Sequence, residues 1–422
     1  MGSFIINDNG NGYSRADFVS ALGGLQPLLV SGQNIKTING NSVLGSGNLE
    51  VNAQQYDYDL SQVEQTLQTD TIAKLNSINP NHKFMAFGFM TDLHESYDNI
   101  GYSGDGSGKI ITSKHCIKLL GSIGHTYGLD AVLFGGDYSL GGDLTYSQYD
   151  AALEEFADTV EEFISVPHYC TEGNHDRRYN ANVACRGNAA WLTFLQRFNS
   201  QGAQYMDNQN SVNTKGEKPY EGYVGNTYYV DFPAFKVRVI MLSQYEKNEK
   251  QGTANPTVAN EFYKNLYDAM KFDPQSAASY YTLLSVSHYC DTSYFWTYAN
   301  KWLYANSALL NGGGSDYFNL TSPPNGNVQG KAVVGQLYGH VHLPAPHAMD
   351  NGKLSRISVR NAFTEKRNDG NYQQDDYRFS IFVIDTDNWM LHEIKVGSVY
   401  NTSGNEYYDS NTGIFSYPIK HN

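Results

Sequence analysis

Apolar positions come in two patterns along this chain: short dense runs, and longer stretches in which they recur every three or four residues. KFMAFGFM (83–90) is a dense run and predicts a buried strand. A helix is predicted over roughly 112–127, followed by DAVLFGGD (130–137) as a second strand. The segment YSQYDAALEEFADTVEEFIS then places Leu153, Phe156, Val160 and Phe163 on one helical face. VPHYCTEGNHD (166–176) reads as a third strand with its loop. Further strands are predicted at 226–232, 235–243, 280–287, 331–338, 353–362, 377–385 and 389–396. Strand, loop and helix repeating from residue 81 onward indicate an α/β domain.

The first fifty residues follow a different pattern. LLVSGQNIKTINGNSVLGSGNLEVN (28–52) sets short apolar pairs between Asn-Gly and Gly-Ser-Gly, which is hairpin chemistry. So small a piece has too little core to stand alone and is expected to pack on another chain. Residues 56–79 read as a helix, with Leu60, Val63 and Leu67 at heptad-like spacing before the pattern slips to Ile72, Leu75 and Ile78. A short oligomeric coil and a helix packed on the following domain both fit that slip. The expected organisation is an attachment and oligomerisation segment over 1–55, a linker helix over 56–80, the α/β domain over 81–397 and a tail over 398–422. The Gly/Asn/Tyr-rich tail either folds back as strands or docks on a neighbour.

Composition narrows the function classes. Of 422 residues, 40 % are hydrophobic and 17 % charged, enough apolar material for a sizeable core. The formal net charge of −14 and the lack of a Lys/Arg cluster exclude general nucleic-acid binding and attachment to anionic membranes. The four cysteines, Cys116, Cys170, Cys185 and Cys290, have neither CxxC nor framework spacing and read as buried reduced thiols. MGSFIINDNGNGYSRADF lacks the basic-then-apolar form of a secretion signal, and no apolar run reaches the length of a membrane span.

Candidate chemistry collects at the carboxyl ends of the apolar runs, where open α/β sheets place their ligands. The first run ends in MTDLHE with Asp92 and His94, the second in GGD with Asp137, and the third in GNHD with Asn174, His175 and Asp176. TLLSVSH ends on His288, and VVGQLYGHVH ends on His340 and His342. Each piece alone is an ordinary turn or strand end; the ordered set is not. It resembles the signature of the calcineurin-like metallophosphoesterase family, D-x-H, G-D, G-N-H-D/E, H, G-H-x-H, with all five blocks in order over 92–342. The resemblance implies a four-layer α/β/β/α sandwich and two divalent metal ions. Asp92, His94 and His342 would hold one, Asn174, His288 and His340 the other, and Asp137 would bridge them. Two such ions about 3.5–4 Å apart need a shared anion, and mixed nitrogen and oxygen donors suit Mn, Fe, Zn or Co better than Mg or Ca. In the family pattern His175 protonates the leaving oxygen and Asp176 orients its ring. Arg177 and Arg178 either reach a substrate phosphate or form a solvated turn.

NIKTINGNSVLGSGNLEV resembles a segment of phage tail-fibre and tail-appendage proteins. Joined to the first, this resemblance implies a virion tail or appendage phosphoesterase, made in the host cytoplasm. Its expected partners are other virion tail proteins, further copies of itself and a phosphorylated glycan or teichoic-acid-like polymer of the host surface. Two divalent ions would bring the charge from −14 to −10, which favours a sparsely phosphorylated glycan over a dense polyanion. Two rival readings are a non-catalytic structural or receptor-binding tail component on the same scaffold, and a soluble intracellular nucleotide phosphodiesterase.

Overall fold

The computed structural model describes residues 7–8, 11–12, 37–38, 41–42, 58–94, 111–139, 144–173, 175–177, 197, 204–205, 228–242, 282–288, 332–340, 345–349, 354–358, 364–365, 377–399, 402–403 and 405–421. The chain divides into two compact units, Met1–Asp57 and Tyr58–Asn422.

In the first unit β1 (Asn7–Asp8) pairs with β2 (Asn11–Gly12), and β3 (Thr37–Ile38) pairs with β4 (Asn41–Ser42). Both pairs close on Asn-Gly: Asp8 faces Asn11 and Ile38 faces Asn41. Two-residue hairpin turns favour that dipeptide because both central residues take positive φ. The apolar pattern does not mark the first hairpin, whose strands are Asn, Asp and Gly.

The second unit opens with α1 (Gln62–Ile78). Its start is a capping box: Ser61 Oγ accepts from the Glu64 amide, and Glu64 Oε2 accepts from the Ser61 amide at 2.7 Å. Leu67 and Leu75 are buried in the domain core, and Val63, Ile72 and Ile78 pack against it. Glu64 and Thr71 are buried on the same helix, so two polar residues interrupt the apolar stripe and account for its slip.

Then follow β5 (Met85–Met90), β6 (Ile111–Thr112), α2 (Lys114–Ile123), β7 (Ala131–Phe134), α3 (Tyr146–Phe163) and β8 (His168–Cys170). Next are β9 (Gln204–Tyr205), β10 (Tyr228–Phe232), β11 (Val237–Leu242), β12 (Thr282–Ser287), β13 (Ala332–Tyr338), β14 (Ala345–Met349), β15 (Leu354–Ser358) and β16 (Thr364–Glu365). The series ends with β17 (Arg378–Asp385), β18 (Met390–Gly397), β19 (Tyr408–Asp409), β20 (Ile414–Pro418) and β21 (Lys420–His421). The tail thus folds back as strands. The helix predicted to reach 127 changes at Gly124–Gly128 into a π turn.

One sheet has the order β19-β20-β18-β17-β5-β7-β8, with β5, β7 and β8 parallel. The other has the order β14-β15-β13-β12-β11-β10-β9, with β11, β12, β13 and β15 parallel and β21 on the first residues of β13. Alternation along β5 shows the layering. Met85, Phe87 and Phe89 point to a core shared with Val239, Leu284, Val286 and Leu337 of the other sheet. Ala86 and Met90 point instead to a core built with Leu120, Ile123, Phe156 and Val160 of the helices. The fold is therefore a mixed α/β sandwich: helices, sheet, sheet. Among the described residues helices flank the first sheet alone, yet Ile240, Leu242, Leu283 and Val333 on the outer side of the second are fully buried.

Candidate metal centre

Both sheets send their parallel strands toward one edge, and the loops leaving those strands are tied to one another by backbone bonds. The Asp92 amide donates to the Gly136 carbonyl and the His94 amide to the Asp137 carbonyl, each at 2.9 Å. The His340 amide, from the second sheet, donates to both carboxylate oxygens of Asp92 at 2.9 Å. Thr91 Oγ1 also donates to Asp92 Oδ2 at 2.9 Å. A Cβ on Gly339 would overlap the Thr91 hydroxyl and the Asp92 carboxylate, so the close approach of β13 to this loop requires glycine.

Four residues at this edge take backbone conformations that side-chain-bearing residues rarely hold: Asp92 (φ 54), His94 (φ 50), Asp137 (φ 56) and His340 (φ 70). Such conformations persist where surrounding structure over-determines them, and Asp137 is held at every polar atom. Its amide donates to Asp176 Oδ2 at 2.8 Å, and its carbonyl accepts from His94. Oδ1 accepts from the His175 amide at 2.8 Å, while Oδ2 lies 3.1 Å from His288 Nε2 and 4.0 Å from His94 Nε2.

Two groups of ligand atoms result, each within 4.8 Å: His94, Asp137 and His175, and Asp137, His288 and His340. Asp137 belongs to both. The donor set fits divalent transition ions, because imidazole nitrogens face a carboxylate in a buried pocket. The outer hydrogen bonds fit as well. His288 Nδ1–H donates to the Gly135 carbonyl at 2.9 Å, which fixes the tautomer that turns Nε2 toward Asp137.

Burial alone would push the Asp137 carboxyl up, but the imidazoles of His288, His175 and His94 outweigh it and hold it far below the usual range. Burial alone would push His288 down, but the charge and hydrogen bond of Asp137, with Asp92 and Asp176 beyond, raise it to about 9. Burial and the neighbouring Asp137 charge push Asp176 up to about 7, against its backbone hydrogen bonds. Such concentrated negative charge favours whatever cation can enter, proton or metal.

The structure places Asp92, His94, Asp137, His175, His288 and His340 at this one edge. Asn174, Arg178 and His342 lie outside the described residues, as does Arg177 beyond its place in the His175–Arg177 turn. His175, read from the family pattern as a proton donor and not a metal ligand, has its ring edge-on to His94 with centroids 4.8 Å apart and falls within ligand range of Asp137. Asp176, which the family pattern assigns to orienting the His175 ring, accepts from the amides of Asp137, Tyr138 and Gly173, each at 2.8 Å. Sequence reasoning missed Tyr138 altogether. Its buried hydroxyl accepts from the Gly136 amide at 3.2 Å and approaches the Thr171 carbonyl at 2.6 Å. A tyrosine directly after GGD is the one trace it leaves in the sequence.

Carboxylates and imidazoles gathered from both sheets of such a sandwich define a class, the metal-dependent phosphoester hydrolases. The chain belongs to the calcineurin-like phosphoesterase family, whose model matches residues 85–344, more than half of its length. That family typically binds two divalent metals. Among curated proteins none matches the chain. Among solved structures it is similar to a dimetal phosphatase from Danio rerio at 13 % identity and a TM-score of 0.43, covering 80 % of this chain and 99 % of that one. It is also similar to a purple acid phosphatase from yellow lupin (Lupinus luteus) seeds at 14 % identity and a TM-score of 0.37, covering 79 % of this chain and 53 % of that one.

Proposed function

We propose that this protein is a phage tail or appendage phosphoesterase that hydrolyses phosphate mono- or diesters of a host cell-surface polymer, a sparsely phosphorylated glycan or a teichoic-acid-like chain. The observation that carries the hydrolytic reading is the Asp137 carboxylate, shared by two imidazole-bearing groups contributed by two different sheets. Asp92, His94 and His342 would hold one metal and Asn174, His288 and His340 the other, with Asp137 between them. When bound, the two cations polarise phosphoryl oxygens and make water a competent nucleophile near neutral pH. The chain's own residues do the rest. His288 is oriented through Gly135, His340 is fixed through Asp92, and His175 delivers the proton to the leaving oxygen. Arg177 and Arg178, directly after that histidine, are suited to grip the remaining phosphate oxygens.

The tail reading is supported by NIKTINGNSVLGSGNLEV and by the Asn-Gly hairpin that closes within it at Ile38 and Asn41. Among the described residues no helix is long and apolar enough to cross a membrane. The test incubates the manganese-loaded protein with teichoic acid, phosphorylated envelope glycans and free nucleotides, and measures released phosphate or fragments. Release from envelope polymers supports the proposal. Release from nucleotides alone favours an intracellular phosphodiesterase, and no release from any of them favours a scaffold. Mass spectrometry of purified particles decides virion association independently.

A further inference from the structure

The hydrogen bonds of Asp176 and Tyr138 are spent almost entirely on main chain. Asp176 Oδ2 accepts from the amides of Asp137 and Gly173, and Oδ1 accepts from the amide of Tyr138. Its own carbonyl accepts from the Tyr149 hydroxyl of α3. The Tyr138 hydroxyl reaches back to the Gly136 amide and across to the carbonyls of Thr171 and Phe134. Between these contacts lie Gly136 (φ 94) and Asp137 (φ 56), consecutive left-handed residues. A Cβ on Gly136 would stand 2.6 Å from the Gly173 amide nitrogen, so the second and third loops touch here through bare backbone.

We infer that Asp176 and Tyr138 are positioning residues that lock the Gly136–Asp137 turn and thereby set where the Asp137 carboxylate lies between the two imidazole groups. A left-handed aspartate has easier conformations available, and relaxing to one would swing its carboxylate out of reach of His288 or His94. Three amide donors on two carboxylate oxygens, with a phenol on the neighbouring amide, remove that freedom without occupying any of Asp137's own acceptor atoms. Asparagine at 176 offers one acceptor oxygen and turns an NH2 toward amide donors. Phenylalanine at 138 leaves the Gly136 amide without its acceptor. This inference rests on the reading of Asp137 as the shared metal ligand.

The experiment titrates manganese(II) into metal-free wild type, Asp137→Ala, Asp176→Asn and Tyr138→Phe by calorimetry, with thermal midpoints measured in chelator. We expect metal affinity to fall about 10–100-fold in Asp176→Asn and by a smaller factor in Tyr138→Phe, at a temperature where both are fully folded. A merely structural role would lower the midpoint and leave affinity unchanged, and that result overturns the inference. If Asp176→Asn does not fold, Tyr138→Phe decides on the same criterion. A wild type that takes up no metal, or an Asp137→Ala variant that binds as tightly as wild type, instead sinks the metal-centre reading and this inference with it.

Discussion

The two sheets contribute unlike halves to the site. The helix-backed sheet supplies both carboxylates, Asp92 and Asp137, together with His94 and His175, on loops in left-handed conformations that are tied to each other. The second sheet supplies imidazoles, His288 and His340, at the ends of two adjacent parallel strands. Among the described residues, the group His94, Asp137 and His175 comes from the first half alone, while His288 and His340 of the second half complete a group only with Asp137. The lesson is that the centre belongs to the packing of sheet on sheet, fixed by contacts such as Tyr169 of β8 edge-on to Phe232 of β10, with centroids 6.3 Å apart.

Asp137→Ala should have the largest effect, removing bound metal and reducing phosphodiester hydrolysis to background, because both halves lose their common ligand. Metal analysis beside a chromogenic diester assay measures it. His175→Ala should keep its metal and lose roughly 10²–10⁴-fold in turnover, the scale of a general acid. Loss of metal in that variant would instead make His175 a ligand, as its nearness to His94 permits. Phe87→Ala, between the sheets, should cost about 3–5 kcal/mol in denaturant unfolding and weaken metal binding as well. Ile123→Ala, in the helix layer, should cost about 2–5 kcal/mol and leave metal affinity unchanged. Equal effects of the two on affinity would break the contrast between the layers.

The smallest expected effect is a pH dependence far from the centre. Burial would raise the Glu64 carboxyl, but hydrogen bonds from His115, Lys118 and Ser61 bring it from 4.5 down to about 2. Its contribution is therefore complete above pH 4.5 and disappears as pH falls toward 2. Allowing for solvent screening, that contribution is about 2 kcal/mol. Glu64→Gln should lower stability at neutral pH and flatten the acid limb of an unfolding-versus-pH curve in that interval.

The sequence made the strands legible because most are dense apolar runs buried on both faces. The ligand-bearing ends were legible because function places titratable residues where such a run stops. What escaped has physical reasons. The tail stays open between strands and docking in the sequence because β20 (IFSYP) carries its apolar residues inside a Gly/Asn/Tyr-rich stretch, far in turn-rich chain from its partner β18. The buried face of α1 includes Glu64 and Thr71, so its apolar period slips and leaves an oligomeric coil and a packed helix equally open in the sequence. The acceptors on Asp176 are filled by backbone amides 38 and 39 residues away, and an amide has no letter in a sequence. The sequence therefore shows the carboxylate beside His175 and nothing of the turn whose amides it accepts from.

One feature of the sheets bears on how the polypeptide is made. The residues that build the centre emerge between positions 92 and 340, yet β20 completes the first sheet and β21 closes on the opening residues of β13. A nascent chain that has not yet reached residue 414 carries the residues of the candidate centre but lacks the strands that seal both layers. Capture of metal should therefore wait until β20 and β21 have joined the sheets, and a product terminated before them would present its histidines without the pocket that organises them.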